Sequence, residues 1–252
     1  MAKCGTGTLG FLDCHPNIAF RGTEPRYFMN RKNNLAIINA WRRGDNVELQ
    51  RQRFKYTNSL PRASRDEYLI EKSPQYAGGR YSALVNRALA MKILNPNLKI
   101  IVYNCDPIKQ MYSQYSMQER RKSFKGNECK GPCLQGSMEN AMKDWAGRIW
   151  TRRKNPLCQG KRVCYGLRKN LAAWRRVFTD SHVFIVDGER MAHNADSEMT
   201  LLLDFLQVPA QTFSFSNQPN KGFSCIQQPL PFCLNPAKGT SRKSDVYEIF
   251  PE

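Results

Sequence analysis

The stretch "KCGTGTL" at residues 3–9 sets a lysine, two glycines and two threonines just ahead of an apolar run. Backbone N–H groups gathered at a helix start form an anion cradle, and glycine lets the backbone come close to the ligand. Gly5 and Gly7 supply that freedom, Thr6 and Thr8 offer hydroxyl donors, and Lys3 adds a positive charge. The chemistry this predicts is the holding of a phosphate-like anion. The pattern is not GxxxxGK[ST], because the lysine leads instead of following. The charge balance points the same way. Lys plus Arg number 39 against 21 for Asp plus Glu, a formal net charge of +18. A surplus of that size favours polyanionic partners through steering and counterion release.

Nine cysteines are many for a cytosolic enzyme. Cys129 and Cys133 form a close pair, "CKGPC", but no CxxC…CxxC pattern accompanies them and no metal cluster is legible. Several disulfides in an oxidising compartment account better for the count, with at least one cysteine left over or paired between chains. No secretory signal or transmembrane run is present in the sequence.

The elements that must position the loop read as alternating strands and helices. A short helix follows the glycines at "TLGFLDC", and "NIAF" is a short strand. Residues 31–66 are polar, basic and poorly periodic, and read as an excursion with weak helix broken by turns at "RRGDN" and "NSLPRAS". "EYLIEK" (67–72) is a strand; "RYSALVNRALAMKILNP" carries Leu84, Ala88 and Met91 on one stripe and stops at Pro96. "LKIIVYN" (98–104) is a buried parallel-type strand, followed by a helix with Asp106 at the N-cap and Pro107 at its first position. A Gly, Lys and Cys-rich loop spans 122–136, helices fall near 137–152 and 166–178, and "HVFIVDG" (182–188) is another buried strand. A helix begins near Asp196, and the tail from 209 is rich in Pro, Asn and Ser. Such alternation implies an α/β domain with a central parallel sheet flanked by helices. Ligands in these sheets bind beyond the carboxyl ends of the strands. "CDP" and "DGER" both follow strands, and "KCGTGTL" precedes a helix, so all three loops are expected at one edge.

Six segments taken in order resemble the sulfotransferase domain of the heparan sulfate sulfotransferases, in particular the glucosaminyl 3-O-sulfotransferases and the N-deacetylase/N-sulfotransferases. They are "KCGTGTL", "TEPRYF", "EKSPQY", "DPIKQMYSQY", "HVFIVDGERM" and "NKGFSC…C…KGTSR". The resemblance implies a single P-loop-like sulfotransferase domain over residues 1–252. It implies transfer of a sulfuryl group from 3′-phosphoadenosine 5′-phosphosulfate to a hydroxyl or amine of a glycosaminoglycan. It makes Lys3, Cys4, Gly5, Thr6, Gly7 and Thr8 the loop around the donor's 5′-phosphosulfate, and Glu24 the catalytic carboxylate. Lys3, Lys72 and Lys221 become the cations at the departing phosphate. Ser113 becomes a 3′-phosphate contact, and Lys238, Gly239 and Arg242 a late loop closing over the nucleotide. Cys225 and Cys233 become a disulfide bracing the loop of Lys221. It further implies no metal, a sulfated polysaccharide partner and no nucleic acid, and the Golgi lumen, with any membrane anchor upstream.

Two departures accompany the likeness. Cys105 stands where the family has an arginine on the 3′-phosphate, and a thiol cannot replace that bidentate contact. After Glu24 the sequence reads Arg26, Tyr27, Phe28, Met29 in place of the family's His-Phe-Phe-Asp. Arg26 is expected to add positive charge on the acceptor side. The strand expected before Lys3 is largely missing and the end comes early, as in a fragment truncated at both ends. Two alternatives stand beside the transferase. One is a degenerate, non-catalytic binder of polyanionic glycans. The other is a nucleotide kinase, against which the absent Walker lysine and metal-binding acidic pair count.

Overall fold

The computed structural model describes residues 6–20, 24–106, 110, 167–218 and 223–233. The chain enters through a 3₁₀ helix, Thr6–Cys14, and a short strand β1 (Ile18–Phe20). A 3₁₀ turn at Tyr27–Met29 leads into helices α1 (Arg31–Arg43) and α2 (Asn46–Thr57), then strand β2 (Tyr68–Ile70). Helix α3 (Tyr81–Leu94) and strand β3 (Ile100–Asn104) complete the N-terminal part. The C-terminal part holds α4 (Leu167–Arg175), β4 (Val183–Asp187), α5 (Gly188–His193), α6 (Ala195–Leu206) and strands β5 (Ser214–Gln218) and β6 (Phe223–Gln228).

Strands β1–β4 pair in parallel, as the alternation implies. β1 lies on β2 with Phe20 opposite Ile70, and β3 lies on β4 with Asn104 opposite Asp187. Among the described residues these are two separate ladders rather than one continuous sheet. They share one apolar core, in which Ile18, Phe20, Ile70, Tyr103 and Val186 meet Met199 and Leu202 of α6. A second core lies between α1, α3 and α4, around Ile37, Ala88, Met91, Trp174 and Phe178. Phe28, 1% exposed, belongs to this second core and anchors the turn that carries it.

The segment read as weakly helical forms two firm helices. Asn30 caps α1 by accepting from Lys32 N, and Gly44, at φ 67°, ends it in the left-handed conformation. Asp45 at once caps α2, its Oδ1 accepting from Glu48 N at 3.0 Å, so a single glycine makes the turn. Two consecutive capping signals outweigh the poor apolar periodicity of 31–57. Within the tail rich in Pro, Asn and Ser, residues 214–228 form the antiparallel hairpin β5–β6, with Phe213 and Ile226 buried. Phe213 and Phe215 alternate across "TFSFS" with strand period, which the Pro, Asn and Ser content obscured. The strand and helix readings at 81–94, 98–104, 182–188 and from Asp196 match the observed elements within a few residues at their ends, while the loop read at "DGER" opens the helix α5. The helix after Asp106 is described only through Gln110, whose N–H donates to the Asp106 carbonyl at 2.9 Å. The readings at 122–136 and 137–152 lie outside the described residues.

Candidate active site

Two groups of candidate residues are positioned by the strand ends. The first follows the paired ends of β1 and β2. Glu24 lies four residues after Phe20 and Lys72 two after Ile70, so parallel pairing carries both to the same edge of that ladder. The segment bearing Glu24 is bolted to the end of β2 by hydrogen bonds. Arg26 N donates to Ser73 Oγ at 3.1 Å, and Ser73 Oγ donates to Glu71 Oε1 at 2.6 Å. Tyr56 OH donates to the other oxygen, Glu71 Oε2, at 2.7 Å. Phe28 N donates to Tyr76 OH at 3.2 Å. Burial, and then the neighbouring Glu71 carboxylate, push the Tyr56 and Tyr76 phenols above their ordinary range, so both stay neutral donors.

Beneath this network sits Arg87 of α3, 5% exposed. Its guanidinium donates to the carbonyls of Phe28 (3.1 Å), Gly78 (3.0 Å) and Tyr76, and lies over the Tyr76 ring. Asn34 Nδ2 also donates to the Phe28 carbonyl, at 2.9 Å. Glu24 and Arg26 are thereby displayed on a rigid base. Glu24 Oε2 accepts from Arg26 Nη2 at 2.7 Å and Nε at 3.2 Å. Arg26 adopts φ 54°, ψ 21°, a left-handed conformation that costs a residue with a Cβ about 1–3 kcal/mol. The backbone bonds at Arg26 and Phe28 hold it there.

The second group surrounds β3 and β4. Thr8 Oγ1 and Tyr103 OH are 2.5 Å apart in the interior, which ties the glycine-rich segment to β3. Thr8 is 7% exposed, so this bond braces the loop from within. The turn after β4 is equally tight. A Cβ on Gly188 would lie 2.5 Å from the Asn104 carbonyl oxygen, so the two strand ends meet only because position 188 has no side chain. Asp187 Oδ1 caps α5 through Glu189 N and Arg190 N, and Asp187 N donates to buried Glu198 Oε1 at 2.8 Å.

The hairpin closes onto the same 3₁₀ helix. Phe11, fully buried, meets Phe215 at 5.3 Å and Phe232 at 6.0 Å between ring centroids. Cys225 and Cys233 are joined in a disulfide, and Ile226 and Phe232 exchange backbone hydrogen bonds inside the loop it closes. Cys105 is also disulfide-bonded. Cys105 thus stands in the arginine's place as a half-cystine, not as a phosphate contact. The side chain is a covalent tie at the end of β3, and its sulfur is not available to a phosphate.

Lys3, Cys4, Gly5, Ser113, Lys221, Lys238, Gly239 and Arg242 lie outside the described residues. Thr6 and Gly7 open the 3₁₀ helix. Sequence reasoning missed Glu71, Ser73, Tyr56, Tyr76 and Arg87. "EKSPQY" contains three of them, yet only its lysine drew attention. Arg87 falls three residues after Leu84 and four before Met91, on the apolar stripe, and that placement was the available signal.

Residues 1–228 match the family described as "Sulfotransferase domain". The chain is similar to heparan sulfate glucosamine 3-O-sulfotransferase 6 of Homo sapiens, 27% identical over 249 residues, covering 94% of this chain and 60% of that protein. It is also similar to heparan sulfate glucosamine 3-O-sulfotransferase 3B1 of Mus musculus, 24% identical over 259 residues, covering 98% of this chain and 56% of that protein. The chain therefore spans less than two thirds of the length of these relatives.

Proposed function

The chain belongs to the sulfotransferase domain family, and from that premise we propose that it moves a sulfuryl group from 3′-phosphoadenosine 5′-phosphosulfate to a heparan sulfate-like glycosaminoglycan. The observation that carries this reading is the display of Glu24 beside the Lys72-bearing end of β2, on a hydrogen-bonded base. Glu24 takes the proton of the acceptor hydroxyl or amine. The acceptor atom then forms a bond to sulfur as the bond from sulfur to the donor's phosphate oxygen breaks, releasing 3′-phosphoadenosine 5′-phosphate. Negative charge grows on that bridging oxygen, and preplaced cations stabilise it. Lys3, Lys72 and Lys221 are proposed for this role. The glycine-rich segment, Ser113 and the Lys238–Arg242 loop are proposed to hold the nucleotide. The named substrates of the similar proteins and the net charge of +18 support a sulfated glycan acceptor. Three disulfide-bonded cysteines, Cys105, Cys225 and Cys233, suit an oxidising compartment, and the Golgi lumen is the proposed site of action. No helix among the described residues is long and apolar enough to cross a membrane.

The test is incubation of the full chain with labelled donor and a panel of glycosaminoglycans, beside Glu24→Gln. Removing a general base lowers turnover by about 10²–10⁴-fold. The variant should therefore bind the donor and transfer almost nothing; near-full turnover refutes Glu24 as the base. The disulfide at Cys105 favours a second reading, a non-catalytic glycan binder. Titration calorimetry with 3′-phosphoadenosine 5′-phosphate separates the two, since that binder takes up no nucleotide.

A further inference from the structure

The residue that engages Glu24 is itself unusual in place and conformation. Arg26 directs two guanidinium nitrogens, Nη2 at 2.7 Å and Nε at 3.2 Å, onto the single oxygen Oε2 of Glu24. Its backbone is left-handed and pinned, through Arg26 N on Ser73 Oγ and Met29 N on the Arg26 carbonyl. Its side chain is held by Glu24 and is 53% exposed, against 28% for Glu24. The result is an exposed, charged arm on a fixed shoulder, resting on the proposed base.

An exposed ion pair of this kind contributes little net free energy, because water screens it and both side chains lose freedom to form it. A guanidinium also matches the paired oxygens of a sulfate ester or carboxylate better than one carboxylate oxygen, through parallel N–H donors. A polyanion that brings several such groups to a surface of net charge +18 therefore competes well for the arm.

We propose that Arg26 reads an anionic group of the acceptor and, in doing so, releases Glu24. Without a sulfated acceptor the guanidinium occupies Oε2. With one bound, it turns to a sulfate group beside the reactive hydroxyl, and the Glu24 carboxylate is freed to accept the hydroxyl proton. Arg26 then couples recognition of a substituted acceptor to availability of the base. This rests on the proposed role of Glu24 for its catalytic half, while its recognition half stands on binding alone.

The experiment compares the full chain with Arg26→Ala, Arg26→Lys and Arg26→Gly. Each is titrated with a heparan-type polysaccharide and with the same polysaccharide after chemical desulfation, at fixed ionic strength. Loss of a charge-assisted contact at an exposed site should weaken binding of the sulfated chain about tenfold in Arg26→Ala. Affinity for the desulfated chain should fall less than twofold, so the preference collapses. Arg26→Lys should recover only part of it, lacking the fork. Arg26→Gly relieves the left-handed backbone as well, and should match Arg26→Ala if the side chain is what matters. In turnover, Arg26→Ala should raise KM for the sulfated acceptor and raise kcat on the desulfated one. An unchanged preference in Arg26→Ala, or full preference in Arg26→Gly, overturns the proposal. If instead Glu24→Gln keeps its turnover while the Arg26 variants lose preference, it is the base assignment that fails, and Arg26 remains the acceptor reader.

Discussion

Arg87→Met removes the guanidinium that ties three backbone carbonyls together and leaves an apolar chain of similar length. The wild-type side chain is buried, and burial holds its pKa below the ordinary arginine range while leaving it cationic. Its partners are the carbonyls of Phe28, Tyr76 and Gly78. Each hydrogen bond from a charged donor is worth about 1.5–3 kcal/mol net, and orphaned buried acceptors add their own penalty. The Phe28 carbonyl keeps its bond from Asn34, and the half-buried Tyr76 and Gly78 carbonyls can admit water, so the full sum is not reached. About 3–5 kcal/mol is the expected loss, the range for breaking a buried charged contact. At about 2–4 °C per kcal/mol for a domain of this size, melting should fall by roughly 6–20 °C. Urea denaturation followed by tryptophan fluorescence measures the free energy, since Trp174 shares a core with Phe28. Amide exchange at Phe28 should quicken, because its N–H bond to Tyr76 depends on the same scaffold. Arg87→Lys should fall between the two. A loss below 1 kcal/mol for Arg87→Met would refute the view that this residue supports the Glu24 segment.

Three phenols, buried Tyr103 and the half-buried Tyr56 and Tyr76, have pKa values raised first of all by desolvation. Their folded values exceed the unfolded one of about 10, so the stability they contribute is intact below that pH and is lost as pH rises above it, by up to about 1.4 kcal/mol per pH unit for each. Denaturation midpoints from pH 8 to 11.5 should show this, and Tyr56→Phe should flatten the slope. Gly188→Ala should destabilise by about 1–3 kcal/mol or shift the β3 and β4 ends apart, because its Cβ would meet the Asn104 carbonyl at 2.5 Å; a neutral effect in thermal melts would contradict the packing. Cys14 is buried and free, with its thiol pKa raised by burial and by Asp13. It should resist alkylation until denaturant is added, while non-reducing peptide mapping should recover Cys225 linked to Cys233. Rapid native labelling of Cys14 would show that the core opens there.

Much of this protein is local physics and could be read directly. The stripe Leu84, Ala88, Met91 and the stop before Pro96 define α3. The apolar runs at 98–104 and 182–188 define β3 and β4, since long hydrophobic runs form strands buried on both faces. Motif order pointed to the family and to Glu24, because binding loops keep their chemistry in short contiguous segments. Other features depend on which distant residues meet, and composition does not encode that. α2 looked weak because its apolar pattern is poor; its cap at Asp45 and the packing of Leu49 and Tyr56 under Phe28 stabilise it. Arg87 looks like a surface cation on an apolar stripe until three carbonyls from elsewhere converge on it. Thr8 reads as a hydroxyl of the glycine-rich loop; only the fold pairs it with Tyr103, 95 residues away. Arg26 reads as one more positive charge; only the left-handed turn held by Ser73 brings it onto Glu24. Periodicity and caps act within a few residues, whereas satisfying a buried polar group requires partners that only the folded chain brings within reach.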